Sequence, residues 1–201
     1  INSSILGEHS VSNELSDYTS ELLLKAGGDR VLRDCNEIPH FDDQSLVAFS
    51  GQGSNISEAH KNVLDLSDKL IDELVEADVI VIGVPMYNFG IPSQLKSFFD
   101  FICRVGITFK YTEKGPIGLL PNKRVYILSS RGGTYHSIGQ DFITPYLKQV
   151  LQFVGLHDLH FVYAEELNLE NGANKDRIVE ASKDKIDRLL TSSQPKQISV
   201  A

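Results

Sequence analysis

Apolar and polar positions along this chain follow two rhythms. Val79-Ile80-Val81-Ile82-Gly83-Val84 and Val125-Tyr126-Ile127-Leu128 are short, charge-free, β-branched runs, and they read as parallel strands covered on both faces. Between such runs, apolar residues return every three or four positions, the period of a helix with one face on a core. One helix is predicted from about Ser12, with Leu15, Tyr18, Leu22 and Leu23 as its stripe and Gly27-Gly28 as its stop. A second is capped by Ser57 and ends near Glu76, with Val63, Leu64, Ile71, Leu74 and Val75 on one side. Pro92-Ser93 opens a third that carries Leu95, Phe98, Phe99 and Ile102. A fourth runs from about Asp141 to Phe153, and a polar helix covers about 173–190. Ile1 to Ser4 reads as the tail of a strand, Arg30 to Cys35 as a strand near a sheet edge, and Asp158 to Ala164 as a further strand. Residues 36–56 and 105–122 are rich in Gly, Pro and short polar residues and read as irregular; Thr191 to Ala201 reads as a frayed tail.

Strands that alternate with helices predict an α/β three-layer sandwich, a doubly wound parallel sheet in a single domain over residues 1–201. A formal charge of −8 argues against nucleic acid as a partner, because a phosphate backbone demands a basic face. No apolar stretch approaches the roughly 20 residues of a membrane span. Cys35 and Cys103 lie far apart without metal-ligand spacing, so no metal site is expected and a reduced, cytoplasmic protein is the simplest reading. The single methionine is Met86, so Ile1 is expected to lie inside an element and not at a translation start.

In open α/β sheets ligands bind beyond the carboxyl ends of the strands. Three loops there carry chemistry. Ser3-Ser4 and Ser10-Val11-Ser12 offer hydroxyls at a helix N-terminus, where unpaired N–H groups and a partial positive charge suit a phosphate; capping alone would also use Ser10 or Ser12. Neither a P-loop nor a Gly-x-Gly-x-x-Gly pattern is present, which favours a monophosphate. Met86-Tyr87-Asn88-Phe89 supplies a thioether, aromatic faces and an amide for a flat ring with a polar rim, or a plain turn. Ser130-Arg131-Gly132-Gly133 lets backbone N–H groups approach a ligand closely, or simply turns the chain.

Pro85 to Lys96 (PMYNFGIPSQLK), Gly106 to Glu113 (GITFKYTE) and Ser130-Arg131-Gly132-Gly133 resemble the FMN-dependent NADH azoreductase and quinone reductase family, and the similarity extends from Ser3 to Glu165. The resemblance implies a flavodoxin-like fold with a five-stranded sheet, a homodimer, non-covalent FMN and NADH as electron donor. It implies that Ser4, Ser10, Val11 and Ser12 hold the FMN phosphate, that Met86, Tyr87, Asn88 and Phe89 hold the isoalloxazine, and that Ser130, Arg131, Gly132 and Gly133 line its pyrimidine edge. Tyr111 and Phe153 match aromatics that line the substrate pocket at the family's dimer interface. Most of an apolar first strand is expected to precede Ile1. The function so implied is two-electron, ping-pong reduction of quinones and aromatic azo compounds through FMN N5, with no catalytic side chain required. Tyr111 and His136 are candidate proton donors, and Arg104 a partner for an anionic substrate or for Asp100. The alternatives are a flavodoxin-like electron carrier without its own substrate pocket, and a regulatory or scaffold protein with a vestigial flavin fold.

Overall fold

The computed structural model describes residues 1–25, 27–51 and 57–192. Strands β1 (Val79–Pro85), β4 (Arg124–Ser130) and β5 (Asp158–Ala164) pair in parallel in that order, with β2 (Phe109–Thr112) and β3 (Gly115–Gly118) forming a separate antiparallel hairpin. Asn2 extends the parallel sheet through bridges to Gly83 on one side and Asp34 on the other. The spatial order is therefore the segment at 34, the segment at 2, β1, β4, β5, the doubly wound 2-1-3-4-5 arrangement. The edge segment predicted over 30–35 pairs only at Asp34, where Asn2 donates to the Arg33 carbonyl at 2.8 Å and Cys35 donates back to Asn2 at 2.8 Å.

Helices cover both faces, and the alternation of β4 shows how. Val125 and Ile127 join a core with α3 (Glu58–Glu76), α4 (Ser93–Ile102) and α5 (Ile143–Val154). Tyr126 and Leu128 join the opposite core, with α1 (Val11–Leu24) and α6 (Lys175–Ser192). Ser10 caps α1 through the Asn13 N–H at 3.2 Å, and Ser57 caps α3 through the His60 N–H at 3.2 Å, as their spacing predicts. Of the expected tail, Thr191 and Ser192 end α6 and the rest lies outside the described residues.

Two expectations are corrected. Residues 36–56 are not a bare loop: α2 (Asp43–Ser50) forms there, capped by Asp42 and ended by Gly51 at φ 62°, while 52–56 lie outside the described residues. Eight residues are too few for a helix that stands alone; Phe49 and the adjacent Phe41 hold it by edge-to-face contact with Phe101. Residues 105–122 are not wholly irregular either, since β2 and β3 pair across a two-residue turn at Glu113-Lys114. Glycine and proline in Gly115-Pro116-Ile117-Gly118 disguise the second strand, and a tilted contact of Phe109 with Phe153, centroids 4.3 Å apart, seats the hairpin. Both cysteines are free; burial pushes the Cys35 thiol up to about 12 and the Cys103 thiol up to about 11, so neither is a nucleophile at neutral pH. No helix among the described residues is long and apolar enough to cross a membrane.

Candidate functional site

The carboxyl ends of the strands bring the serine loop, the 86–90 turn and the glycine loop to one edge. Ser3 is buried and donates to the Gly83 carbonyl at 2.6 Å, which ties the serine loop to β1. Ser10 and Ser12 lie 3.0 Å apart at the head of α1, whose first N–H groups have no intrahelical partner. Ser10, Val11 and Ser12 are all buried, which leaves backbone and hydroxyl groups, and no cationic side chain, as the donors of this loop. Gly83 makes the approach possible: a Cβ there would lie 2.9 Å from the Ser12 carbonyl oxygen.

The 86–90 segment is a tight turn. Tyr87 and Gly90 exchange backbone bonds of 3.0 and 2.9 Å, and the intervening Asn88 and Phe89 both take positive φ, 48° and 67°. Both central residues at positive φ is the geometry of primed hairpin turns, and it is costly for a bulky residue such as Phe. The turn holds Phe89 outward, 56% exposed, with its ring edge-on to Tyr135 at 5.9 Å. Tyr87 reaches across instead, its hydroxyl 3.0 Å from Ser4 Oγ and 3.3 Å from the Ile5 N–H that donates to it. Met86 donates its backbone N–H to the Ser130 carbonyl at 2.9 Å. These contacts weld the three predicted segments into one shelf.

Beyond β4, Gly133 accepts from the Glu166 N–H at 3.1 Å and Gly132 from the Asn168 N–H at 2.9 Å. A Cβ on Gly132 would crowd Asn168 Nδ2 at 2.6 Å, and one on Gly133 would press the Tyr135 ring at 3.3 Å. Arg131 differs from its neighbours: its side chain is fully buried and turned under the loop. Its Nε donates to Ser129 Oγ at 3.2 Å, Nη1 to Glu165 at 3.3 Å, and Nη2 to Asp141 at 2.9 Å and Thr144 at 3.3 Å. The guanidinium carbon stands 4.8 Å from the centre of the Tyr163 ring. Arg131 therefore shapes the loop from beneath.

The same brace includes residues to which sequence reasoning assigned no role. Glu165 Oε1 accepts from the backbone N–H groups of Tyr135 and His136 at 2.9 and 2.8 Å. Asp141 Oδ1 accepts from the Ile143 and Thr144 N–H groups at 3.1 and 3.0 Å, so it also closes the head of α5. Burial acts to raise the Asp141 carboxyl, but hydrogen bonds from Thr144, His136 and Arg131 outweigh it and hold it well below the usual carboxylate range. A carboxyl depressed on folding adds stability above its unfolded value of about 4, and that contribution drains away as pH falls below it. Asp141→Asn is accordingly expected to flatten the acid limb of a pH–stability curve, checked by urea unfolding between neutral and acid pH. The capping pattern at Asp141 was a legible signal; the pairing of Glu165 was not, because 34 residues separate it from Arg131.

Tyr111 is 71% exposed and Phe153 is half-buried; they are joined through Phe109, which meets Tyr111 edge-on at 5.6 Å. His136 stacks on Tyr163 beside the glycine loop. Arg104 pairs with Asp68 and Ser67 and lies 5.2 Å over the Phe49 ring, whereas Asp100 is taken by Lys96 on the same helix. The expected Asp100 pairing is thereby corrected, by the i,i+4 spacing that gives Asp100 a nearer cation. Two grooves lie off this edge, one of about 550 Å³ beside α1 and one of about 480 Å³ beside residues 27–33; their walls include none of Ser10, Ser12, Met86, Phe89, Ser130 or Gly133. Among the described residues no group of His, Cys, Asp and Glu is placed to hold a metal ion.

A sequence profile for the flavodoxin-like fold matches residues 1–190, which places the chain in that class of α/β proteins. It is 43% identical over 196 residues to an FMN-dependent NADH:quinone oxidoreductase of Cellvibrio japonicus, covering 96% of this chain and 97% of that one. It is 43% identical over 195 residues to the protein of the same description from Haemophilus influenzae, covering 96% of each. Among solved structures, an azoreductase from Bacillus anthracis aligns with a TM-score of 0.81 at 25% identity, over 95% of this chain and 97% of that one. The chain belongs to the family of FMN-dependent NADH:quinone oxidoreductases.

Proposed function

We propose that this protein binds FMN on the shelf at the strand ends and uses it to pass two electrons from NADH to a quinone or an aromatic azo compound, in a ping-pong cycle through the flavin N5. The observation that carries the reading is the union of the serine loop, the 86–90 turn and the glycine loop by the Tyr87–Ser4 and Met86–Ser130 bonds. The donor set fits this cofactor. Neutral hydroxyls at a helix N-terminus suit one phosphate, and Met86 and Phe89 suit a flat ring. Gly132 and Gly133 keep backbone free of Cβ atoms where those atoms would crowd Asn168 and Tyr135.

In this reading Ser4, Ser10, Val11 and Ser12 hold the phosphate end, Met86 to Phe89 hold the ring, and Ser130 to Gly133 face its pyrimidine edge through their backbone, with the Arg131 side chain turned beneath the loop. FMN supplies the hydride chemistry; the protein binds, orients and electrostatically tunes it. Exposed Val105, Ile107, Tyr111 and Ile117 on the 105–118 segment support a homodimer in which Tyr111 and Phe153 line the substrate pocket. We further infer one FMN-binding unit over residues 1–201, acting in the cytoplasm. An electron carrier would have no use for the β2–β3 hairpin and its aromatics.

The test is steady-state kinetics of FMN-loaded protein with NADH or NADPH against a benzoquinone and an azo dye. Turnover with NADH is expected, and FMN-loaded protein that oxidises neither nicotinamide would sink the enzyme reading. Separately, Ser12→Ala is expected to weaken FMN binding about fivefold, the worth of one neutral hydrogen bond near 1 kcal/mol. Fluorescence titration reads it, and an unchanged dissociation constant would return Ser12 to a purely structural place.

A further inference from the structure

The serine loop and the 86–90 turn lie 83 positions apart in the chain, and one phenol joins them. By its backbone Tyr87 belongs to the turn, exchanging bonds of 3.0 and 2.9 Å with Gly90. By its side chain it belongs to the serine loop: the hydroxyl accepts from the Ile5 N–H at 3.3 Å and lies 3.0 Å from Ser4 Oγ. Ser4 Oγ in turn accepts from the Leu6 N–H at 3.2 Å, and the Ser4 carbonyl accepts from Asn36 Nδ2 at 2.9 Å. Ile5 and Leu6 are 59% and 55% exposed, and the helical turn Gly7–His9 that follows buries no residue. Packing therefore does little to hold this stretch. Hydrogen bonds that converge on Ser4 and Tyr87 hold it, and it leads directly into Ser10 and the head of α1. The turn depends on the same residue. Asn88 and Phe89 keep positive φ, a strained backbone that persists where its surroundings over-determine it. The Met86 bond to Ser130 fixes one side of that turn, and Tyr87 fixes the other.

We propose that Tyr87 couples the two ends of the ligand shelf: its hydroxyl positions Ser4 and Ile5, its backbone positions Asn88 and Phe89, and a phosphate on the serine loop thereby strengthens the grip on the ring. The proposal rests on the assignment of FMN to the shelf. Tyr87 is here a positioning residue, because its phenol acts on the phosphate end through the serine loop. A phosphate that orders this loop fixes the partners of the Tyr87 hydroxyl, and a fixed phenol steadies the turn that carries Phe89. By linkage, a ring seated on the turn favours phosphate on the loop by the same factor. The consequence is selectivity. FMN and riboflavin share one ring system, and the coupling adds a preference for the phosphorylated flavin beyond the phosphate's own contacts.

The experiment titrates FMN and riboflavin separately into the native protein and into Tyr87→Phe, which keeps the ring and removes the hydroxyl. The preference for FMN over riboflavin is expected to shrink about fivefold in the variant, the worth of one neutral hydrogen bond. The change is expected to come from weaker FMN binding, with riboflavin binding unchanged. Ser4→Ala is expected to cost less FMN affinity in the Tyr87→Phe background than in the native chain, since members of one network are not additive. As a check independent of any variant, amide hydrogen exchange of the flavin-free native protein is followed as inorganic phosphate is added. Exchange is expected to slow at Ile5 and, with it, at Tyr87 and Gly90. An unchanged preference, an equal loss for both flavins, or protection that does not reach the turn would overturn the proposal. A native chain that binds neither flavin overturns the FMN assignment together with this proposal. A native chain and a phenylalanine variant that bind FMN with equal selectivity overturn the coupling alone.

Discussion

Replacing Arg131 with methionine is expected to lower the unfolding free energy by about 3 kcal/mol or more, because breaking a buried ion pair from one side strands the other charge. The guanidinium is fully buried, and its partners Asp141 and Glu165 are themselves 7% and 18% exposed. Removing it leaves Asp141 and Glu165 without their shared cation and the Tyr163 ring without the guanidinium over it. Because Glu165 also pins the Tyr135 and His136 N–H groups, FMN binding is expected to fall in the same variant. Arg131→Lys is expected to recover only part of both losses, since one ammonium cannot span Ser129, Glu165, Asp141 and Thr144 as a planar fork does. Urea unfolding paired with flavin fluorescence measures the two effects together. A methionine variant as stable as the native chain would mean that the brace contributes nothing net, as some buried ion networks do not.

The second large effect is expected at Gly83. A Cβ built there meets the Ser12 carbonyl oxygen at 2.9 Å and its carbonyl carbon at 3.2 Å, both backbone atoms that cannot rotate away. Gly83→Val must therefore lift the head of α1 from β1, at a cost of about 1–3 kcal/mol for overpacking. The serine loop moves with the helix, since Ser10 caps it and Ser3 bonds the Gly83 carbonyl. FMN affinity is expected to drop by about tenfold or more, the equivalent of 1.4 kcal/mol or above at the phosphate end. Titration of FMN into the purified variant checks it, and native affinity in a folded Gly83→Val protein would show that α1 does not carry the phosphate donors.

The periodicity of the chain was a good guide wherever an element's own residues supply its burial. β1 and the Val125–Leu128 stretch of β4 are apolar, and α3 shows its stripe without reference to any neighbour, although Leu70 is buried beside Ile71 and Leu74 while the expected Val75 is left exposed. It failed at α2 and at the β2–β3 hairpin, where the stabilising contacts come from elsewhere: Phe101 for the first, Phe153 for the second. The edge strand was legible as an alternating segment, but only the Asn2–Asp34 bridge shows where it pairs and how briefly. Among candidate site residues, the serines, the 86–89 turn and the glycines could be named from sequence because strand ends and glycines advertise themselves. Nothing local distinguished Arg131, which shares that loop yet turns its guanidinium away from the shelf.

By itself, the order of residues determined the layered α/β class, the loops at the strand ends and, through long motifs, the oxidoreductase family. The class and the loops follow from short-range patterns, two-residue and 3.6-residue periods, caps and turn-forming dipeptides, whereas the family follows only from the resemblance of those motifs to known relatives. Only the tertiary structure decided how those loops are held as one shelf, that Asp141 and Glu165 share Arg131, and that His136 is clamped at the rim. Such facts depend on which side chains meet across gaps of tens of residues, and a carboxylate's partner is chosen by the packing of strands and not by its neighbours in the chain.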